Sequence, residues 1–385
     1  MILRGADGLS TAAALLRNGG LVAVPTETVY GLCAGATDPA AVSRVFAVKG
    51  RAADKPLPVL VSSPEDAERF SVLTPAARTL MNAYWPGPLT LILPLKPGAL
   101  PAVVTGGKLS VGLRCPNHPL TLELLNAVGK PLVLTSANLS GQPEPVSAEE
   151  VALPTDGVLD GGVCAVGRPS HVLDFTVNSP ECLRYGAAAV GLTGGSGAGK
   201  SSVLNRLRER GAAALNADAV YHRLLETDAE MLRELYERFP GAFDSPESPP
   251  DRAKLRSAVF GDPSALDALN RITHPYVLRA IRRGLGDLII REGLNVPVAV
   301  EAIALFESGL SKLCGVTLGV TAPLGDRIDR IVTRDGLPRE DAEERIRNQQ
   351  PDSFYRLRCD EMINNNGTEA ELFEKTDAFW EKYLS

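Results

Sequence analysis

Eight residues, Gly194-Gly195-Ser196-Gly197-Ala198-Gly199-Lys200-Ser201, constrain this chain more than any other stretch. They fit G-x-x-x-x-G-K-[S/T], follow an apolar segment (Ala189–Leu192) and precede the helical run SSVLNRLRER. A strand, a glycine-rich turn and a helix in that order make a phosphate-binding loop. The glycines let the backbone curl until its N–H groups face phosphate oxygens, and the helix N-terminus adds its positive dipole end. On this reading the eight residues and Ser202 hold a nucleotide's phosphates. Lys200 offsets β/γ-phosphate charge and Ser201 helps hold Mg²⁺.

The loop does not say which hydroxyl receives a phosphate. Asp218 follows the next predicted strand (AALNAD). There a carboxylate can take a proton from an acceptor hydroxyl, or, equally on spacing, serve as an ordinary helix N-cap. Arg330, Arg334 and Arg345 lie in RIVTRDG and ERIRNQQ. They are placed either to fold over a transferring phosphate or to sit as solvated helix charges. NVPVAVEA followed by LFESGL reads as a central strand ending in a loop.

The chain has 385 residues, which at about 150 per domain predicts two or three domains. Of 29 prolines, 19 precede residue 189. The first part alternates short apolar runs with turns, among them Leu21–Val24, Leu57–Val61, Leu89–Leu95 and Val172–Val177. The second is helix-rich, with residues 244–251 as an exposed loop. Both halves read as α/β, with a short linker near Gly186–Ala189. Residues 1–188 carry 14 Lys+Arg against 15 Asp+Glu, and the rest carry 26 against 31. Neither half has the positive excess of a dedicated nucleic-acid binder. No run of about 18 apolar residues appears, and the start MILRGADGLST lacks signal-peptide regions. The six cysteines and four histidines are scattered without metal-ligand spacing. These features predict a cytoplasmic protein with no membrane span, reduced thiols and no structural metal.

GLTGGSGAGKS, NADAVYH, ITHPYV, ALFESGL, TRDGLPREDAEERIRNQQ and DEMINNNGT occur in that order over about 195 residues. Together they resemble dephospho-CoA kinase. The resemblance implies a P-loop kinase domain at 188–385, a parallel sheet in a three-layer α/β/α arrangement, transferring the γ-phosphate of ATP to the ribose 3′-hydroxyl of dephospho-CoA. It places the base at Asp218, ATP and its Mg²⁺ at Lys200 and Ser201, and lid arginines at Arg334 and Arg345. The chain departs from the pattern at Asn216, where an aspartate is usual, and at Ile303-Ala304, where Pro-Leu is usual. The first implies weaker organisation of Mg²⁺-bound water.

In the first half, polar clusters sit at predicted strand ends, where open α/β sheets bind ligands in a crevice. Arg51, Lys55, Arg114 and Arg184 would make that crevice positive. PTETVYGL, KGR, KPLPVLV, YWPGPLTLIL, VGLRCP, TSANLSGQP, PSHVLDFT and CLRYG together resemble the YrdC-like threonylcarbamoyl-AMP synthases, over about 185 residues. The resemblance implies a twisted open α/β sheet at 1–187 that makes L-threonylcarbamoyl-AMP and pyrophosphate from L-threonine, bicarbonate and ATP, feeding tRNA threonylcarbamoyl modification. By family position Lys49, Arg51, Lys55, Ser110, Ser136, Asn138 and Arg184 contact ATP, with Lys49 and Arg51 catalytic. Thr28, Tyr30, Arg114 and Ser170 hold threonine or its carbamate. Two anions must meet in this reaction, so cationic side chains and Mg²⁺ carry it. Leu60, His171 and Lys55 depart from the pattern, and the kinase stands where longer relatives carry another C-terminal domain.

Three other readings stay open on sequence alone. The first half is an RNA-binding module, with double-stranded RNA or a weak RNA contact as its ligand. The kinase uses another small-molecule hydroxyl. One half is a catalytically dead remnant. Downstream tRNA-modification proteins are the partners the first resemblance implies.

Overall fold

The computed structural model describes residues 1–186, 189–259 and 262–384. The chain divides into two compact units, Met1–Gly186 and Ala187–Ser385. The boundary expected between 187 and 188 lies outside the described residues. Among those residues no helix is long and apolar enough to cross a membrane.

The first unit is built on a mixed sheet of ten strands: β1 (Ile2–Leu3), β2 (Val22–Val24), β3 (Gly31–Gly35), β4 (Val59–Leu60), β5 (Leu89–Pro94), β6 (Ser110–Arg114), β7 (Leu132–Ser136), β8 (Gly157–Leu159), β9 (His171–Asp174) and β10 (Glu181–Arg184). Their order is β1-β8-β2-β3-β7-β4-β6-β5-β9-β10. The helices Gly5–Arg17 and Pro119–Val128 supply Leu9, Ala13, Leu16, Leu124 and Val128 to a core with Val24, Cys33 and Leu132. Asp38 caps the helix Pro39–Lys49 by accepting from the N–H groups of Ala40 (3.0 Å) and Ala41 (3.1 Å), as the Asp-Pro pair predicts.

Two predicted strands are shorter than expected. KPLPVLV forms only β4, because Pro56 and Pro58 have no N–H for a ladder. β9 stops at Asp174, whose carboxylate turns back to accept from the N–H (2.8 Å) and hydroxyl (2.6 Å) of Thr176. This is a side-chain turn that competes with the strand.

The second unit has five parallel strands, β11 (Ala189–Thr193), β12 (Ala213–Asn216), β13 (Val298–Glu301), β14 (Val316–Thr321) and β15 (Glu361–Asn364), in the order β12-β13-β11-β14-β15. Fully buried β11 lies at the centre, as expected of a strand covered on both faces. Leu204, Leu207, Leu372, Phe379 and Trp380 from the helices Lys200–Glu209 and Glu369–Tyr383 pack with Val190, Leu192, Leu318 and Val320. The fold class read from sequence, a twisted open α/β sheet followed by a parallel one, is the one observed, and the first sheet is mixed.

Candidate active sites

The first unit's cavity, about 650 Å³, spreads over one face of the sheet and reaches the strand ends at Arg114, Ser136 and Arg184 to which the sequence pointed. Every second residue of three strands lines it: Thr90 and Ile92, then Ser110, Gly112 and Arg114, then Val172 and Asp174. That is the period of one sheet face. The register makes one rung of Arg114, Thr90, Val172 and Arg184 across β6, β5, β9 and β10. Two guanidinium groups therefore stand at the ends of a single row. Ser170 joins them: its Oγ lies 3.0 Å from Thr90 Oγ1, and Arg184 donates to its carbonyl (2.7 Å) and hydroxyl (3.1 Å).

Of the predicted residues, Thr28, Arg51, Ser110, Arg114, Ser136, Ser170 and Arg184 line this cavity together. Lys49, Lys55, Asn138 and Tyr30 do not. Buried Lys49 spends its ammonium on the carbonyls of Ser136 and Asn138 (2.6 Å) and on Asn138 Oδ1 (3.2 Å). Ser136 Oγ donates to the same Oδ1 at 2.6 Å. Lys49 thus clamps the loop after β7 from behind, and burial with Arg51 nearby lowers its pKa to about 8. The Tyr30 hydroxyl is occupied by Gly162 O (2.9 Å) and Gly161 N–H (3.1 Å). Lys55 is exposed. Leu60 is in the core, and His171 packs edge-on to Tyr185 at 4.9 Å, its imidazole pushed down to about 4 by burial and then by Arg184.

Sequence reasoning missed Glu27. It is buried (8% exposed), accepts from Arg114 Nη2 at 2.9 Å and from Asn117 N–H at 3.0 Å, while Arg114 also donates to Thr28 Oγ1 at 2.7 Å. An acid inside the otherwise uncharged PTETVYGL is the only signal. Removing one partner strands a buried charge, so Glu27→Ala should cost the first unit about 3–5 kcal/mol. Urea unfolding followed through Trp85, with Trp380→Phe silencing the second unit, reads this directly. A loss below about 1 kcal/mol would place the pair among weak surface bridges.

In the second unit the glycine-rich loop joins β11 to the helix Lys200–Glu209. Gly199, at φ 103°, starts that helix in a conformation only glycine adopts without strain, and a Cβ there would strike the Asn365 amide. The loop's carbonyls are tied from outside: Ser196 O by Arg327 Nε (3.0 Å), Gly197 O by Arg330 Nη1 (3.1 Å) and Ala198 O by Asn365 Nδ2 (2.9 Å). Gln349 accepts from Ser196 N–H at 2.8 Å and donates to its hydroxyl at 2.7 Å. With the carbonyls so engaged, the loop is pre-shaped for an anion.

A cavity of about 700 Å³ above the loop is lined by Ser196, Gly197, Gly199, Lys200, Ser201 and Ser202, and by Asp218, Glu301, Arg330, Arg334 and Arg345. Gly194, Gly195 and Ala198 do not reach it. A Cβ on Gly195 would collide with the Arg327 guanidinium, so that glycine makes room for a neighbour. Lys200 is 7% exposed, donates to Gly195 O at 3.1 Å, and has its pKa lowered to about 8, chiefly by burial. Arg334 (2.7 Å) and Arg345 (2.8 Å) are both paired with Asp335. Asn216, not Asp218, caps the helix Ala217–Thr227, accepting from Ala219 N–H at 2.8 Å. The Asp218 carboxylate has no hydrogen-bond or ion-pair partner among the described residues.

Asp218 also borders a second, smaller cavity of about 220 Å³, lined by Tyr221, Asn270, Thr273, His274, Val277 and Leu310 among others. One carboxylate therefore separates a phosphate cradle from a mainly apolar pocket. Among the described residues no cluster of three potential metal ligands occurs.

Fold and sites define a two-unit α/β protein, with an arginine-lined sheet cavity in one unit and a phosphate loop in the other. By comparison, residues 14–186 match the family model Sua5_yciO_yrdC, described as "Telomere recombination", and residues 188–371 match that of dephospho-CoA kinase. The chain is 46% identical over 183 residues to the threonylcarbamoyl-AMP synthase of Bacillus subtilis, covering 46% of this chain and 53% of that one. A Mycobacterium leprae protein provisionally named for the same activity is 38% identical over 190 residues, covering 48% of this chain and 86% of that one. The dephospho-CoA kinase of Corynebacterium diphtheriae is 36% identical over 196 residues, covering 51% of this chain and 97% of that one. The chain spans about half the length of the first curated synthases it matches. It belongs to the threonylcarbamoyl-AMP synthase family through its first unit and to the dephospho-CoA kinase family through its second.

Proposed function

We propose that the chain is a bifunctional enzyme. Residues 1–187 join L-threonine, bicarbonate and ATP into L-threonylcarbamoyl-AMP and pyrophosphate. Residues 188–385 phosphorylate the ribose 3′-hydroxyl of dephospho-CoA. In the first reaction the threonine amine takes up bicarbonate with loss of water, a carbamate oxygen attacks the α-phosphorus, and pyrophosphate leaves. Arg51, Arg114 and Arg184 offset the repulsion between carbamate and triphosphate, and Thr28, Ser110, Ser136 and Ser170 orient the two. Lys49 acts by holding Ser136 and Asn138 in place. The observation that carries this half is the Arg114–Thr90–Val172–Arg184 rung inside a small-molecule-sized cavity. A confined cavity with an acidic partner on Arg114, in a half with no net positive charge, disfavours the RNA-binding reading, which needs a basic stripe.

In the second reaction the acceptor hydroxyl attacks the γ-phosphorus, the bond to the ADP oxygen breaks, and Asp218 takes the hydroxyl proton. The carrying observation is Asp218 at the border of the two cavities. Lys200 and the loop N–H groups hold the phosphates, while Arg334 and Arg345 leave Asp335 to meet the transferring group. An Mg²⁺ arriving with ATP would fit the oxygen donors that line this cavity, the Ser201 hydroxyl and the Glu301 carboxylate among them. When bound, it would supply charge neutralisation to the transferring phosphates.

Radiolabelled ATP turned over by the whole chain tests both halves. Threonine plus bicarbonate should release pyrophosphate and dephospho-CoA should release ADP, each without the other product. Silence in either arm removes that half of the proposal.

A further inference from the structure

With the Lys49 ammonium tied to the carbonyls of Ser136 and Asn138, the first unit is short of a cation for a triphosphate. The same cavity offers another. Lys108 lines it, and its ammonium has no hydrogen-bond or ion-pair partner among the described residues. Lys108, Ser110, Gly112 and Arg114 all reach the cavity, and as every second residue they form one stripe along one face. The ladder runs on past the start of β6, where Leu95 N–H donates to Leu109 O at 3.0 Å. Leu109 itself, on the other side, is exposed. At about 3.3 Å per residue, Lys108 stands about 20 Å along the strand from Arg114.

The two ends of that stripe differ in what their cations are tied to. At one end Arg114 is held by Glu27 and Thr28, and Arg184 by Ser170. This is the end proposed for threonine. At the other end the loop carrying Lys108 lies against the segment that follows Arg51. A Cβ on Gly106 would come within 2.5 Å of Asp54 O, and Leu57 N–H donates to Val104 O at 2.9 Å. Arg51 gives one N–H to Pro56 O at 3.0 Å and keeps a buried Nε without a partner. Lys108, Arg51 and the Ser110 hydroxyl therefore gather away from Arg114. The chemistry needs cations there. When a carbamate oxygen bonds to the α-phosphorus, the pyrophosphate oxygen departs in line on the opposite side, taking the electron pair of the broken bond. An attack launched from the Arg114 end thus sends the new negative charge toward Lys108.

We propose that Lys108 is the cation that holds the β- and γ-phosphates of ATP in the first unit and neutralises pyrophosphate as it leaves. Its stem is exposed, so the ammonium can follow the departing anion outward, which the clamped Lys49 cannot. The inference rests on the synthase reading for the direction of attack, and its test reads phosphate binding by itself.

Calorimetric binding of ATP, AMP and pyrophosphate in turn, by the whole chain carrying Lys200→Met, tests this without turnover. The second unit is then identical in every protein compared and cancels. Lys108→Met should weaken ATP and pyrophosphate by about 10-fold and leave AMP within about twofold, the low end for a hydrogen bond to a charged group because Lys108 is exposed. Lys108→Arg, which keeps the charge, should restore most of the difference between ATP and AMP. In turnover with threonine and bicarbonate, pyrophosphate should become a poorer product inhibitor of Lys108→Met, with the KM for threonine unmoved. Equal weakening of ATP and AMP would place Lys108 at the nucleoside and overturns the proposal. Unchanged affinity for all three would make it a solvated charge and overturns it as well. A chain that shows the Lys108 difference yet releases no pyrophosphate from threonine and bicarbonate would sink the synthase reading and leave Lys108 on the phosphates.

Discussion

Replacing Asp218 by asparagine is expected to lower dephospho-CoA-dependent ADP release by about 10²- to 10⁴-fold, the usual contribution of a positioned general base. Asparagine keeps the shape and can still hydrogen-bond an acceptor hydroxyl, but it cannot take the proton. The helix should survive the change, because Asn216 performs the capping and the Asp218 carboxylate has no partner among the described residues to lose. The loss should therefore appear in kcat, with the KM for ATP nearly unchanged, since Lys200 and the loop bind the phosphates. Pyrophosphate release in the first unit should be unaffected. A drop of less than about tenfold in kcat would move the base elsewhere. His274, which also lines the smaller cavity, would then be the next residue to exchange.

What the sequence disclosed depends on how local each signal is. The phosphate loop was legible because eight consecutive residues carry all of its chemistry, and the strand and helix flanking it carry their own apolar patterns. Asp38-Pro39 was legible for the same reason. The arginine rung was not, because Arg114 and Arg184 become neighbours of one row only through the register of four strands, two of them joined by a bulge between Cys182 and Arg184. Register is set by tertiary packing rather than by any short pattern. The cavity reaches the expected strand ends and also runs along a sheet face, because the sheet is mixed and antiparallel neighbours such as β5 and β6 bring alternate residues into line. Glu301 was hidden differently. Within NVPVAVEA it reads as a polar strand end, and its place in the phosphate cavity appears only once β13 lies between β12 and β11.

Lys49→Met is the corresponding exchange in the first unit, and it should reduce threonine-dependent pyrophosphate release by about 10²- to 10³-fold, the scale for losing one preorganised donor at a charged site. The reasoning differs from that for a phosphate-contacting lysine. Three acceptors surround the Lys49 ammonium, and two of them belong to Asn138, so the methionine variant releases the loop that presents Ser136 to the cavity. Lys49→Arg should rescue little, because a planar guanidinium cannot fill a cradle shaped for a compact ammonium. The charge itself titrates within reach. Burial, with Arg51 beside it, lowers the Lys49 pKa to about 8, so the cation is present below that pH and lost as pH rises through it. Affinity for ATP in a Lys200→Met background, where the second unit's own buried lysine no longer contributes, should fall between pH 7 and pH 9. The Lys49→Met variant should show a flat profile over that range. Measuring ATP binding without threonine matters, because the threonine amine gains reactivity as it deprotonates and would push a rate profile the other way. Equal pH dependence in both proteins would remove Lys49 from the charge balance of the site and leave it a purely mechanical clamp.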